Sequence, residues 1–230
     1  IFVFIQLWSV TFRLSGQGSI AGYDFRRMVW YLVFTESVTL SVARVFDVID
    51  QQVKSGELAY TLAKPYSYPL FHFAQYMGGV LLALPANFLA GATLALIFAG
   101  PPPTNPAAWP VIALAVLLAV CLHFAVGLSI GLLAFWFEDT NAFFWIYQKT
   151  SFVLGGLFLP LSLFPSTLRA VAQRLPFSAI AYAPARLSAQ FDAGIAAGTL
   201  LTQLGWLLLL CGVAVLIYRS GVRRVNLNGG

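Results

Sequence analysis

The stretch LLALPANFLAGATLALIFAG (residues 81–100) runs for twenty positions without a charged side chain. At 1.5 Å of rise per residue, twenty residues make about 30 Å of helix, the thickness of a bilayer's hydrocarbon core. A strand of a membrane barrel needs only about ten residues and alternates in polarity. This stretch shows no such alternation, so it reads as a helix that crosses a membrane.

Working outward, the whole chain has the same character. Of its 230 residues 60% are hydrophobic and only 9% charged, and the mean hydropathy is +0.83. A soluble domain is about one quarter charged, so this chain cannot cover a water-facing surface. Lipid removes the need for a polar exterior. Six tryptophans, nine tyrosines and twenty phenylalanines fit the same solvent, since many fall near span ends where amphipathic rings favour the interface. The net charge of +5 is scattered without a basic run, which excludes a nucleic-acid binder. Cys121 and Cys211 lie inside apolar spans with no ligand spacing, and read as small packed hydrophobes.

Six spans are predicted, making an all-α polytopic membrane protein: 1–12, 28–46, 70–98, 109–137, 142–161 and 199–218. The connectors RLSGQGSIAGYD, GPPPTNP and FEDTN carry the expected turn formers. The chain opens at Ile1 within an apolar stretch, IFVFIQLWSVTF, whose twelve residues reach only about 18 Å. The first span is therefore expected to be truncated, with the natural start upstream; no signal peptide pattern is visible. Lys and Arg should mark the cytoplasmic loops, but the two sets of loops nearly balance. One holds Arg44, Lys54, Lys64, Lys149, Arg219, Arg223 and Arg224, the other Arg13, Arg26, Arg27, Arg169, Arg174 and Arg186. The compact tail RSGVRR tilts the reading towards a cytoplasmic C-terminus. Pro85 should kink the third span. Gly78-Gly79, Gly91, Gly155-Gly156 and the GxxxG pair Gly127/Gly131 offer close helix approach.

Two polar stretches carry most of the functional information. In RVFDVIDQQVKSGELAYTLAKPYSYP (44–69), Val42, Phe46, Ile49 and Val53 recur at helical spacing, while Asp47, Asp50, Gln51 and Lys54 take the other side. Gly56 suits the position just past such a helix, and Lys64-Pro65 leads into the third span. The second span should thus turn into an amphipathic helix at the membrane surface, either a plain interfacial helix or a docking helix that receives force from a cytosolic motor. In GGLFLPLSLFPSTLRAVAQRLPFSAIAYAPARL (155–187), Ser166 is expected to cap a short helix. Its Leu168, Val171, Ala172 and Leu175 share one face and leave Arg169, Gln173 and Arg174 polar; Pro176-Phe177 ends it, and Tyr182 and Pro184 mark a further break.

Together these stretches resemble the permeases of the ABC type 2 exporter family. The likeness lies in the GEL turn followed by Leu and Lys-Pro after the second span. It lies also in a fifth span closing in G-x-x-x-P-x-x-x-x-P, followed by L-R, L-P-F and Y-x-P. It covers nearly the whole chain, and is closest in character to uncharacterised or viologen-exporter-like permeases. The resemblance implies a cytoplasmic coupling helix in the 47–66 region that seats in a separate ATPase subunit, with Asp50, Gln51, Lys54, Gly56, Glu57, Leu58, Lys64 and Pro65 in that role. It implies short re-entrant extracytoplasmic helices over 165–187, and an extracytoplasmic motif made of Gly156, Pro160, Pro165, Arg169, Pro176, Phe177, Tyr182 and Pro184. It implies a bacterial inner-membrane location, pairing with a second identical or homologous permease, and no cofactor in this chain, ATP and its magnesium being bound by the partner ATPase.

Glu36 lies near the middle of the second span, where an ionised carboxylate costs about 2.5 to 3.5 kcal/mol on insertion scales. It must be neutral, paired or facing a wet cavity; Thr35, Thr39, His123, Arg27 and Arg44 are its candidate neighbours. Glu36, Thr39 and His123 are the candidate translocation path, and a carboxylate there would favour cationic or amphipathic cargo. The other reading of Glu36 is a structural interhelix hydrogen bond. His72 and His123 show no metal-ligand spacing. No G-x-x-x-x-G-K-[ST] is present, so the chain has no phosphate cradle of its own. HExxH and GxSxG are also missing, and Glu138-Asp139 reads as a solvated turn. The competing hypotheses are a proton-coupled secondary transporter using Glu36, which lacks the expected inverted repeat, and a lipid-directed membrane enzyme, which lacks catalytic residues.

Overall fold

The computed structural model describes residues 1–62, 64–137 and 139–228, with the backbone alone at position 59 and from 224 to 228. Eleven α-helices follow one another: α1 (Phe2–Ser15), α2 (Phe25–Ser41), α3 (Val45–Lys54), α4 (Glu57–Leu62), α5 (Tyr68–Phe98), α6 (Trp109–Leu132), α7 (Asn141–Leu154), α8 (Ser166–Arg174), α9 (Pro176–Ile180), α10 (Tyr182–Ala189) and α11 (Ala193–Asn228). No strand occurs among the described residues. The segments Tyr68–Phe98, Pro106–Phe135 and Ala193–Arg223 are each long and apolar enough to cross a membrane; α1, α2 and α7 are shorter.

Helix ends follow from local chemistry. The Asp24 carboxylate caps α2 by accepting from the Arg27 backbone N–H at 2.7 Å. Asp192 caps α11 in the same way, accepting from the Ile195 N–H at 2.9 Å. Pro69 and Pro110 stand in the first turns of α5 and α6, where a missing N–H costs nothing. Pro85 lies inside α5, and its missing N–H leaves the Leu81 carbonyl without the usual helical donor.

The helix α6 forms the axis of the bundle and touches α3, α9, α10 and α11, while α2 packs on α1, α5 and α10. Met28 through Val38 on α2 are buried without interruption. The outer helices show large apolar side chains instead, with Leu82 of α5 80% and Leu208 of α11 75% exposed. Faces of that kind suit lipid. One end of the bundle is tied by Gln190 Nε2 donating to the Gly22 carbonyl at 2.5 Å, by Trp30 Nε1 donating to the Gly100 carbonyl at 3.0 Å, and by the Thr104 hydroxyl donating to the Ser188 carbonyl. A buried glutamine joins three helices: Gln203 Nε2 of α11 donates to the carbonyls of Ala115 on α6 and Ala179 on α9, each at 2.9 Å.

Several boundaries differ from the sequence expectation. The second helix stops at Ser41 rather than Phe46, because Val42 and Arg44 leave helical geometry with ψ of 127° and 72°. The fifth stops at Leu154 rather than 161, at the turn of Gly155 and Gly156. The last begins at Ala193 rather than 199, since Asp192 supplies a cap six residues earlier. Ser166 is the first residue of α8 rather than its cap, which is Pro165. In α8 the expected faces hold in part: Ala172 is buried, Leu175 half-buried, and Gln173 and Arg174 exposed, but three residues differ. Leu168 and Val171 are exposed, while Arg169 reaches inward and donates to the carbonyls of Ser162 at 2.6 Å and Phe164 at 3.0 Å. Those carbonyls belong to the tight turn Leu161–Leu163 and its flank, and a guanidinium is the donor that reaches both.

Candidate functional site

The helix α3 forms where the apolar period demands it. Phe46 and Ile49 are buried, Val42 and Val53 half-buried, and Gln51 and Lys54 exposed. It ends as the sequence suggests, with Gly56 at φ +76° and its N–H on the Val53 carbonyl at 3.2 Å. It lies across α6 at Gly131, where an added Cβ would stand 2.9 Å from Ile49 Cβ and 3.1 Å from the Phe46 backbone. Among the eight residues expected to face an ATPase, Gln51, Lys54, Gly56, Glu57, Lys64 and Pro65 are exposed. The other two are not. Leu58 is 3% exposed and packs with Tyr68 and Tyr76, and Asp50 is 6% exposed.

Asp50 is turned to a segment ninety positions away. Its Oδ1 accepts from the Thr140 hydroxyl at 2.7 Å, and its Oδ2 pairs with Lys54 Nζ at 2.7 Å. Lys54 Nζ also lies 4.0 Å from Asp139 Oδ1. Its hydrogen bond to Asp50 raises the Lys54 ammonium above its ordinary value. Hydrogen bonds from the backbone and side chain of Asn141 hold Asp139 below the usual carboxylate range. Burial pushes Asp47 up, against the opposing pull of Arg44, whose Nε is 3.2 Å away. Glu138, the other half of the expected acidic turn, lies outside the described residues.

A cavity of about 290 Å³ lies between α2, α6, α7 and α9. Thr39 and His123 line it, together with Arg44, Tyr147, Gln148, Ser151 and the rings of Phe144, Phe152 and Phe177. Glu36 is not among the lining residues. It is 8% exposed and its Oε1 has no partner among the described residues. Each expected neighbour is engaged elsewhere. The hydroxyls of Thr35 and Thr39 donate to the carbonyls of Leu32 and Thr35, and Arg27 and Arg44 pair with Asp24 and Asp47. His123 Nδ1 lies 3.2 Å from the Tyr76 hydroxyl. The cavity residues Tyr147, Gln148 and Ser151 were not singled out from sequence, although polar groups one helical turn apart in an apolar helix are a readable signal.

The second informative stretch wraps the other end of α7. The Tyr31 hydroxyl donates to the Gly156 carbonyl, and Gly156 holds φ +70°. Pro160, Tyr182 and Pro184 are buried, Arg169, Pro176 and Phe177 half-buried, and Pro165 exposed. Tyr182 packs edge-on to Tyr31 at 6.2 Å, and Phe177 faces Tyr147 at 6.0 Å. The break expected at Tyr182 and Pro184 falls at Ala181, between α9 and α10, and both residues stand in the first turn of α10. Cys121 and Cys211 are free thiols on a separate apolar groove of about 340 Å³ between α5, α6 and α11. Among the described residues no three His, Cys, Asp or Glu groups gather as a metal site would require.

An all-α, multi-pass membrane protein with an amphipathic foot at one end of its bundle is the class these features define. A family model described as ABC-2 family transporter protein matches residues 1–229, and the chain belongs to that family. It is accordingly a permease subunit of an ABC transporter, a membrane component without an ATPase site of its own that associates with an ATP-binding subunit. A search of the curated proteins finds no match.

Proposed function

We propose that the chain is the permease of an exporter that carries an amphipathic small molecule or lipid-like cargo across a bacterial inner membrane. It works as one of two six-span subunits above two ATPase subunits, which bind ATP and magnesium. The six spans are α1, α2, α5, α6, α7 and α11, with α8–α10 on the extracytoplasmic side and the C-terminus in the cytoplasm. The cavity between α2 and α7 is the cargo path. Its aromatic walls and polar groups, among them the cationic Arg44 and no carboxylate, suit an amphiphile and do not require a positive charge on it. A cation such as a viologen-like molecule would be held by ring faces rather than by an ion pair.

The observation that carries the reading is the exposed surface of α3, α4 and the turns beside them, formed by Gln51, Lys54, Gly56, Glu57, Lys64 and Pro65. A helix pair of that kind, packed on α6 at one end of a lipid-facing bundle, offers a motor subunit a place to push. The test is the complex with its ATPase subunit in proteoliposomes, with rhodamine 6G as transport probe. Gly56→Trp and Glu57→Arg should each lower dye-stimulated ATPase and ATP-driven dye movement by tenfold or more. Unchanged stimulation and transport in both variants would remove the coupling role.

A further inference from the structure

The helices α2 and α7 face each other across the cavity, yet they relate differently to α3. Between α2 and α3 the chain leaves helical geometry at Val42–Arg44, so motion of α3 is not passed rigidly into α2. Between α3 and α7 there is no covalent continuity, but there are two matched contacts. The rings of Phe46 and Phe144 stack at 3.7 Å with planes 16° apart, and the Thr140 hydroxyl donates to Asp50. Residues 46 and 50 are one helical turn apart on α3, and residues 140 and 144 are one turn apart on α7. The pairs run in opposite order, as two antiparallel helix ends laid side by side require. The Arg44 guanidinium adds a cation over both rings, 5.2 Å from Phe46 and 5.0 Å from Phe144.

Thr140 stands at the N-cap of α7 but makes no capping hydrogen bond to its own helix. It is wholly buried, and its one polar side-chain atom goes to Asp50. Asp50 thereby brings a carboxylate to the amino end of α7, where the helix dipole favours negative charge. The next turns of the same helix carry Tyr147, Gln148 and Ser151 into the cavity.

We infer that α3 and the first turn of α7 move as one body, so that Asp50 and Thr140 are positioning residues that carry motor movement directly to the α7 wall of the cargo path. This rests on the coupling role proposed for α3. The α2 wall, freed by the break at 42–44, follows loosely, and the cavity changes width because one wall is driven and the other is not.

The experiment uses the complex with its ATPase subunit, in a Cys121→Ala/Cys211→Ala background, reconstituted in vesicles of phosphatidylethanolamine and phosphatidylglycerol. Spin labels at Leu40 and Ile146, exposed positions of α2 and α7, report the separation of the walls with and without ATP–vanadate. A separate, unlabelled set carries Phe46→Cys/Phe144→Cys joined by a short bis-methanethiosulfonate cross-linker. The tethered protein should keep its ATPase within twofold of the same double-cysteine protein left untethered, because the tether joins parts that never separate. Asp50→Ala/Thr140→Val/Phe46→Ala should still bind nucleotide but lose the label movement, while Thr140→Ser keeps it. A tether that abolishes turnover, or label movement that survives the triple substitution, overturns the inference while leaving the coupling role intact. A wild-type chain that retains no ATPase subunit and shows no label movement overturns both.

Discussion

The two glycines of the GxxxG pair on α6 should behave oppositely when given a methyl group. At Gly127 an added Cβ would meet Val45 Cγ1 at 3.7 Å, an ordinary van der Waals distance. Gly127→Ala therefore keeps the packing and gains helix propensity, about 1 kcal/mol in favour of the folded state. At Gly131 the same atom would come within 2.9 Å of Ile49 Cβ and 3.1 Å of the Phe46 Cα. A backbone atom cannot rotate away, so α3 must lift by a few tenths of an ångström. Overpacking of this kind costs about 1 to 3 kcal/mol, and the propensity gain of about 1 kcal/mol offsets part of it. Gly131→Ala should come out destabilised by up to about 2 kcal/mol, and by clearly more than Gly127→Ala. Thermal unfolding in detergent, followed by tryptophan fluorescence, measures the difference. At about 2 to 4 °C per kcal/mol for a chain of this size, the two variants should separate by several degrees on opposite sides of wild type. Equal midpoints, or a destabilised Gly127→Ala beside an unaffected Gly131→Ala, would refute the close packing of α3 on α6.

Other perturbations follow from single contacts. Gln203→Leu removes the donor to two buried carbonyls and should cost about 1 to 2 kcal/mol; the measurement is the fraction folded on titration with a denaturing detergent, and no loss would mean the carbonyls find other partners. Asp192→Ala should cost about 1 kcal/mol through loss of the cap on α11, seen as faster amide exchange confined to residues 193–197. Glu36→Gln keeps shape while removing a titratable group whose Oε1 has no partner among the described residues, and ATP-driven dye transport should stay within twofold of wild type. Collapse of that transport, together with loss of sensitivity to an uncoupler, would instead favour the proton-coupled reading. Tyr31→Phe deletes the hydrogen bond to Gly156 and should cost about 1 kcal/mol, with transport falling more than ATPase if the α7 turn serves as a pivot.

The spans declared themselves in sequence because lipid imposes a simple rule, namely about twenty residues without charge. Asp192 is equally visible in sequence as a helix start, while the expected start at 199 follows the apolar run alone. The break at Val42–Arg44 has no such signal. It contains neither glycine nor proline, and the contacts that α3 makes beyond it, with Gly131 and Phe144, are both distant in sequence. Asp50 shows the same limit. Its helical position placed it correctly on the polar side of α3, but that side splits between solvent and the Thr140 hydroxyl, and a partner ninety residues away leaves no local trace. Arg169 was assigned to the wet face of α8 because arginine is polar; the carbonyls of the Leu161–Leu163 turn that draw it inward are backbone groups, which look alike in every sequence. The cavity is half legible, through Thr39 and His123, while Glu36 lies outside its lining, since a sequence gives depth in a span but not direction.

Placed side by side, the ends of α7 explain why a short helix can serve between long ones. Its amino end is held to α3 by the Thr140 and Phe144 contacts, and its carboxyl end is held to α2 through Gly156 and Tyr31. Fourteen residues give about 21 Å between these attachments. If the upper attachment acts as the pivot, a tilt of about 10° swings the lower end by roughly 3.5 Å on that lever, with Tyr147, Gln148 and Ser151 moving by amounts graded along it. A longer, straight-through span would be fixed by lipid and neighbours on all sides and would resist such a tilt. On the proposed coupling, the Gly155–Gly156 turn would do more than end a helix early: it would put the pivot inside the bundle, one turn above the polar groups of the cavity, where a small rotation would change the cavity's width most at the α3 end. The Tyr31→Phe variant bears on this directly, since loosening a pivot should separate turnover of ATP from movement of cargo, whereas loosening a mere packing contact should lower both together.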